Sequence, residues 1–194
     1  MAYDVPLYLV FLRLEGQLRQ PITMRKQKGF SLIELLIVVA IILIIAAIAI
    51  PNLMRARMAA NDSSAAASIH DINIAEAAYF GTYSSIGFPV AMTTLGGAAP
   101  CTASIATACL IDNGLATNNG GNGKSGYSFA ATGSPSAGSL INDQFYATGA
   151  PLSSLTGTRS YCSFQDMVIR LQPAGNITLV GGYGACQVLG PMNN

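Results

Sequence analysis

Charged side chains are scarce in this 194-residue sequence. They make up 10% of the chain, against roughly 25% in soluble globular domains. The formal net charge is +1, which gives no electrostatic reason to expect a nucleic acid or another polyanion as a partner. Apolar residues make up 51% of the chain, and much of that excess lies in one segment.

Histidine is scarcer still, and this excludes several kinds of active site. The single histidine, His70, precedes Asp71 on a predicted helix, where the two side chains point about 100° apart and form no catalytic pair. One histidine on a packed helix makes a Ser/His/acid arrangement untenable. A zinc site fails on spacing, because the sequence contains no Cys-x-x-Cys pair. We therefore expect no enzyme activity, no cofactor and no metal.

Isolated acidic residues and one glycine-rich stretch give only weak matches to ligand-binding motifs. Asp112, Asp143 and Asp166 are scattered singly, without the dense oxygen spacing of a calcium loop, so surface solvation is the better interpretation. Gly123-Lys124-Ser125 matches the end of a phosphate-binding loop, but position 118 is Asn where that motif needs Gly. Nucleotide binding is therefore not expected.

One long apolar run follows the N-terminal residues. Residues 35–50 carry no polar side chain, and twelve of these sixteen are Leu, Ile or Val. On the insertion scale those twelve favour transfer into a membrane by roughly 4 to 7 kcal/mol. From Phe30 to Met54 the only charged residue is Glu34, so the segment is long enough to cross a bilayer as a helix.

Glu34 is the one unfavourable residue in this segment. A charged side chain costs roughly 2.5 to 3.5 kcal/mol at the centre of a membrane helix and less near its end, so the segment still inserts. One interpretation places Glu34 at the level of the lipid headgroups without a function. The other has Glu34 wait for a cationic partner in surroundings that exclude lipid.

The residues around Glu34 match a specific pattern. The sequence resembles the processing site of type IV pilins and of the pseudopilins of type II secretion over Lys28-Gly29-Phe30-Ser31-Leu32-Ile33-Glu34-Leu35. The resemblance is close from Arg25 to about Ala60, and beyond that it is one of layout only. In that family a membrane aspartyl peptidase cleaves after the glycine on the cytoplasmic side and then methylates the new N-terminus.

The resemblance implies a role for four residues. The cut would fall between Gly29 and Phe30, and Phe30 would become N-methylated. Glu34 would become the fifth residue of the mature chain, where the family uses it in filament assembly through contact with the N-terminal amine of a neighbouring subunit. Pro51 would be the twenty-second, where helices of the family often bend.

Residues 1–29 are accordingly expected to be removed as a leader. Met24-Arg25-Lys26-Gln27-Lys28-Gly29 alone would form an ordinary short basic leader, which suggests that Met24 is the start and 1–23 an upstream reading-frame extension. The alternative is one long leader lost in the same cut. The basic residues before the apolar run favour a cytoplasmic N-terminus with the rest of the chain outside.

The helix is predicted to continue beyond the membrane. It would comprise a transmembrane or filament-core part at 30–54 and a second part at 55–81 that packs on a head, ending at Phe80 before Gly81. Pro51 should kink it, and the weak patch at 61–64 could bend it. Ile69, Ile72 and Tyr79 lie on one face, with Asn73 and Glu76 among the polar positions.

The rest of the chain, 82–194, is predicted to form a small head. Residues 82–125 are rich in Gly, Ala, Ser, Thr and Asn and indicate a loop region with one short helix near 103–109. A sheet is expected within 126–190, from strand candidates at 126–131, 144–148, 167–171 and 177–181 with a turn at 173–176. Alternation at Tyr127 and Phe129, and again at Met167, Ile169 and Leu171, predicts one buried face for the first and third of these strands. The predicted fold class is α+β: a long N-terminal helix packed by its second half on a small antiparallel sheet.

Four cysteines lie in the predicted head, and their even number outside the cytoplasm indicates disulfides. Three connectivities are possible. The two short loops favour pairing Cys101 with Cys109 and Cys162 with Cys186, and the second bridge would contribute roughly 3 kcal/mol through loop entropy.

The resemblance, together with the single apolar helix, implies a structural subunit of a bacterial surface filament. The chain would be a single-pass inner-membrane precursor with a periplasmic head, then part of an extracellular homo-oligomeric pilus. Its partners would be membrane lipid, the prepilin peptidase and methylase, the assembly machinery and copies of itself. The alternative within the family is a periplasmic pseudopilin of type II secretion, and a remote one is a membrane-anchored enzyme or receptor.

Overall fold

The computed structural model describes residues 29–172 and 178–192, and a division into two compact units falls between Ile45 and Ala46. The predicted leader up to residue 28 and the predicted turn at 173–176 lie outside the described residues. The elements are α1 (Leu32–Thr82), a 3-10 helix (Met92–Leu95), α2 (Asn113–Ala116), α3 (Asn118–Gly121), β1 (Tyr127–Ser134), β2 (Gln144–Pro151), β3 (Tyr161–Phe164), β4 (Arg170–Leu171) and α4 (Tyr183–Gln187).

The described part of the first unit, residues 29–45, is the start of an apolar helix whose side chains no other described residue covers. Every described residue from 29 to 45 is exposed, although most of these side chains are Leu, Ile or Val. Within the described residues, α1 is the one helix that is long and apolar enough to cross a membrane. Its exposed face therefore needs lipid or another apolar helix as its surroundings.

In the second unit, α1 buries one stripe of side chains. The buried positions recur at the three- and four-residue spacing of a helix face, at Ala65, Ser68, Ile69, Ile72, Asn73, Ala75, Glu76 and Tyr79. The helix ends two residues later than predicted, at Thr82. The Tyr83 backbone N–H still donates to the Tyr79 carbonyl at 2.8 Å, so Gly81 does not terminate the helix.

The patch predicted to bend α1 remains helical. The Asn61 side-chain amide donates to the Thr156 carbonyl at 2.7 Å, and Asp62 accepts hydrogen bonds from Thr158. Because these side chains bond to a distant loop, they do not compete for the backbone of their own helix.

The sheet is a four-stranded antiparallel meander in the order β1-β2-β3-β4. Alternate residues of β1 are buried and pack with α1, as the predicted α+β arrangement requires. The main core includes Ile69, Ile72 and Tyr79 from α1 with Tyr127, Phe129, Phe145 and Tyr161 from the strands. The predicted fold class is therefore confirmed.

Two of the four predicted strands are present at full length, and the other predictions need correction. All four residues of β3 are buried, so β3 lacks the alternation that reveals a half-buried strand, and the sequence analysis missed it. The strand predicted at 167–171 shrinks to Arg170–Leu171, because Met167 adopts φ +61°, a left-handed conformation that interrupts a strand. Residues 178–181 are not a strand, and Ile177 lies outside the described residues.

The segment between α1 and β1 is mostly irregular, as predicted, but its helices lie elsewhere. No helix forms at 103–109. The 3-10 helix precedes this stretch, and α2 follows it, capped by Asp112, whose carboxylate accepts from the Leu115 N–H at 2.9 Å. Asp112 is a preferred N-cap residue type, so this start signal was readable from the sequence.

Candidate functional site

The start of α1 forms the candidate assembly site. Ser31 directly precedes the first helical residue, and Glu34 is the third helical residue. The Ser31 backbone N–H donates to Oε2 of Glu34 at 2.9 Å, which is one half of a Ser-x-x-Glu capping box. Glu34 therefore satisfies a backbone donor that would otherwise lack a partner. No other hydrogen bond to this carboxylate occurs in the described part of the chain, so Oε1 can accept another donor.

The Gly29–Phe30 junction lies before the helix begins. Neither residue is in regular secondary structure, and Phe30 is 79% exposed. A side chain added at Gly29 would meet no atom within 4 Å. An exposed segment outside regular structure is accessible to a protease, and these two residues satisfy that condition.

Pro51 lies inside α1. Proline has no N–H to donate and its ring presses against the carbonyl four residues earlier. The side-chain amide of the next residue, Asn52, donates to the Ile48 carbonyl at 3.1 Å. The Asn52 amide thus supplies an additional hydrogen bond in the turn where Pro51 cannot donate to the carbonyl of Ala47. A bend at Pro51 remains a prediction.

The four cysteines form the two disulfides predicted from the short loops between them. Cys101 is bonded to Cys109 and Cys162 to Cys186, with Cα atoms 6.0 and 5.9 Å apart. Cys162 and Cys186 are fully buried and pack with Phe164 and Val180. This bridge fastens α4 to β3 and builds a second, smaller core around itself.

The scattered aspartates are not brought together. Asp112 pairs with Lys124 at 3.3 Å, and Asp166 pairs with Arg170 at 2.6 Å. Asp143 accepts hydrogen bonds from the backbone and hydroxyl of Ser136. Each carboxylate thus has its own local partner.

Asp62 fastens α1 to the loop between β2 and β3. Its carboxylate accepts from the Tyr127 hydroxyl, from the Thr158 N–H at 3.0 Å and from the Thr158 hydroxyl at 2.6 Å. Burial raises the pKa of Tyr127, and its hydrogen bond to Asp62 raises that pKa further. No signal in the sequence alone indicates this role for Asp62.

Glu76 is buried without a hydrogen-bond partner among the described residues, contrary to the prediction that it occupies a polar position. Both carboxylate oxygens lack a hydrogen bond within the described residues, and the residue is fully buried. Burial raises the pKa of Glu76 from its ordinary value of 4.5 to about 8. Its neighbour on the helix, Asn73, is also buried and donates to the Ser163 hydroxyl at 2.9 Å. The helical spacing from Ile69 and Ile72 already places Glu76 on the buried face, so the signal was present.

Comparison with known proteins connects the start of α1 to a described motif. The family model for the prokaryotic N-terminal methylation motif matches residues 24–50. A relative, the type IV wide pilus major component PilA4 of Thermus thermophilus, is 60% identical over 48 residues, which are 25% of this chain and 37% of that protein. The match thus spans little more than a third of the relative's length. No solved structure matches the chain.

These matches confirm, for the N-terminal segment, the resemblance to type IV pilins and pseudopilins that Gly29, Phe30 and Glu34 carry in the sequence.

Proposed function

We propose that this chain is the structural subunit of a type IV pilus-like filament. The subunit is made as a membrane-inserted precursor and is cleaved between Gly29 and Phe30. The new N-terminus at Phe30 is methylated, and the subunits polymerise by bundling the first parts of their α1 helices. The observation that carries the proposal is the methylation motif at 24–50, placed at the start of a helix whose apolar side chains are uncovered.

The proposal accounts for the exposed apolar surface in both states of the subunit. Before assembly, lipid surrounds the segment 30–54, with the basic residues before it in the cytoplasm and the head in the periplasm. After assembly, identical helices take the place of lipid. Membrane lipid, the prepilin peptidase and methylase, the assembly machinery and other copies of the chain are thus the partners of the precursor.

Glu34 supplies the specificity of assembly in this proposal. A carboxylate enclosed by apolar helices is strongly unfavourable alone and tolerable when paired with a positive charge. Cleavage creates such a charge at the Phe30 amine, and a methylated amine keeps it. Oε2 of Glu34 already caps its own helix, and Oε1 is left to accept from the amine of a neighbouring subunit.

The capping contact suggests an experiment that separates the two roles of Glu34. Glutamine at this position can still accept the Ser31 N–H but carries no charge, whereas alanine removes both contributions. We expect Glu34→Gln and Glu34→Ala to be inserted and cleaved normally and to reduce sheared surface filaments to a similar, low level. Filament yield is measured by immunoblot of the sheared fraction, and cleavage by the size of the cell-associated band.

Normal filament yield from Glu34→Gln would refute the charge pairing and leave Glu34 as a helix cap. A deletion strain tests which filament is built, because loss of attachment or twitching supports the pilus. Loss of exoprotein release with normal twitching would instead assign the chain to a secretion pseudopilus.

A further inference from the structure

Two grooves of opposite charge lie on the second unit. The basic groove, of about 510 Å³, has Arg55, Arg159 and Tyr161 in its lining. The acidic groove, of about 250 Å³, has Asp71 and Asp112 in its lining, together with Ile74, Leu110, Ile111 and Leu115. Neither groove contains a residue that the proposed cleavage, methylation or Glu34 contact uses.

In the part of the chain that the structure describes, the arginines of the basic groove have no acidic partner of their own. Arg55 and Arg159 are exposed, and neither forms an ion pair within residues 29–172 and 178–192. Asp62 also lines this groove, but three donors from Tyr127 and Thr158 already hold its carboxylate. The groove therefore presents two guanidinium groups, whose planar donors suit a carboxylate.

The acidic groove offers the matching surface. Asp71 is exposed and has no ion pair in the described part of the chain, whereas Asp112 is partly neutralised by Lys124. Beside the two carboxylates, Ile74 is 57% and Leu110 is 42% exposed. An arginine can lay its methylene groups on such apolar side chains while its guanidinium meets the acid.

The positions of Arg55 and Asp71 on α1 prevent a contact within one molecule. They are sixteen residues apart, which corresponds to about 24 Å along the helix and about 160° around it. Because the two grooves lie on nearly opposite sides of α1, the basic groove of one copy can contact only the acidic groove of another copy. Each copy then uses two different surfaces, one for each neighbour. Such a heterologous contact repeats from subunit to subunit and builds an open helical series when its rotation does not close.

We infer that the basic groove of one subunit receives Asp71 and its apolar flank from a second copy of this chain. This contact supplements the bundling of the N-terminal helices and sets which heads lie side by side. The inference rests on the proposed filament function. The contact requires that the α1 helices of the two subunits be displaced along their axes by about 24 Å. The lengths of the Arg55 and Asp71 side chains allow some variation in this displacement.

A charge exchange in the full-length chain tests the contact in a filament-forming strain that lacks its own copy of the gene. We expect Arg159→Glu to lower the yield of sheared filaments roughly tenfold, because facing like charges are strongly unfavourable at an interface. Adding Asp71→Arg should restore most of that yield. Arg55→Glu should also lower the yield, and adding Asp71→Arg should again restore it. This second pair of variants replaces the first if Arg159→Glu does not fold.

The matched control is Arg57→Glu. Arg57 is exposed, lacks an ion pair among the described residues and lines neither groove. We expect nearly normal yield from Arg57→Glu, with no gain from adding Asp71→Arg. Thermal unfolding of each variant in detergent and the fraction of cleaved precursor are measured in parallel. If both equal those of the wild type, a loss of filaments reports a loss of the contact between subunits.

Unchanged yield in folded Arg159→Glu and Arg55→Glu, or failure of Asp71→Arg to restore yield, overturns the inference. If filaments still depend on Glu34 in the same strain, only the head contact is refuted and the proposed function stands. If the wild-type chain forms no filaments at all, the proposed function itself fails.

Discussion

The buried carboxyl of Glu76 makes a quantitative prediction about stability. The folded chain holds a proton there up to a pKa of about 8, whereas the unfolded chain loses it near 4.5. Between these values the folded state binds more protons than the unfolded state, so stability falls as pH rises. At 1.36 kcal/mol per pH unit, this group lowers the free energy of unfolding by roughly 3 kcal/mol between pH 4 and pH 7.

Glu76→Gln removes this dependence while it keeps the size and shape of the side chain. We expect the free energy of unfolding of the variant, minus that of the wild type, to rise by roughly 3 kcal/mol from pH 4 to pH 7. A buried amide adds a cost that does not vary with pH, so the slope with pH, rather than the absolute stability, carries the test. All other titrating groups are shared and cancel in the difference.

Urea unfolding of the full-length chain in detergent, with disulfides intact, measures this difference. The chain has eight tyrosines and no tryptophan, so near-ultraviolet circular dichroism of tyrosine reports tertiary structure. Asp71→Asn is the matched control, because it replaces an exposed acid on the same helix by its amide. Parallel pH profiles for wild type and Glu76→Gln would refute a buried, neutral Glu76.

Three further predictions follow from other contacts. Asp62→Asn should lower the free energy of unfolding by about 2 kcal/mol. Its effect should not add to that of Tyr127→Phe, because Tyr127 donates a hydrogen bond to Asp62. Additive losses in urea unfolding would contradict this coupling. Replacing Cys162 and Cys186 together by serine should cost about 3 kcal/mol or more, so an unchanged urea midpoint would show that the bridge contributes nothing. Gly29→Leu should leave the precursor uncleaved, and a band of mature size on a gel would count against the proposed cut.

The sequence predicted those parts of the fold where one physical signal acts alone. The unbroken apolar run predicted the first part of α1, and the alternation of Tyr127 and Phe129 predicted β1, whose alternate residues are buried. Loop length favoured the pairing of Cys162 with Cys186 that the structure has. The residues before Glu34 matched a short motif that the comparisons confirm.

The features that the sequence did not predict share one cause. Each depends on contacts between residues that are far apart in the sequence, so the local pattern of polar and apolar side chains does not reveal it. β3 is buried on both faces, and its Ser163 is accommodated by Asn73 from ninety residues earlier. The carboxyl of Glu76 favours a polar position, although the spacing from Ile69 and Ile72 places Glu76 in the core. Asp62 lies in a stretch of weak helix propensity, and its partner Thr158 comes from a loop 96 residues away in the sequence.

The central claim is that the mature subunit begins at Phe30 and is held in a filament. Intact-mass and N-terminal mass spectrometry of the protein sheared from cell surfaces tests it most directly. The account predicts a single N-terminus at Phe30 that carries one methyl group. Protein that stays in the membrane fraction and retains residues before Phe30 would contradict it.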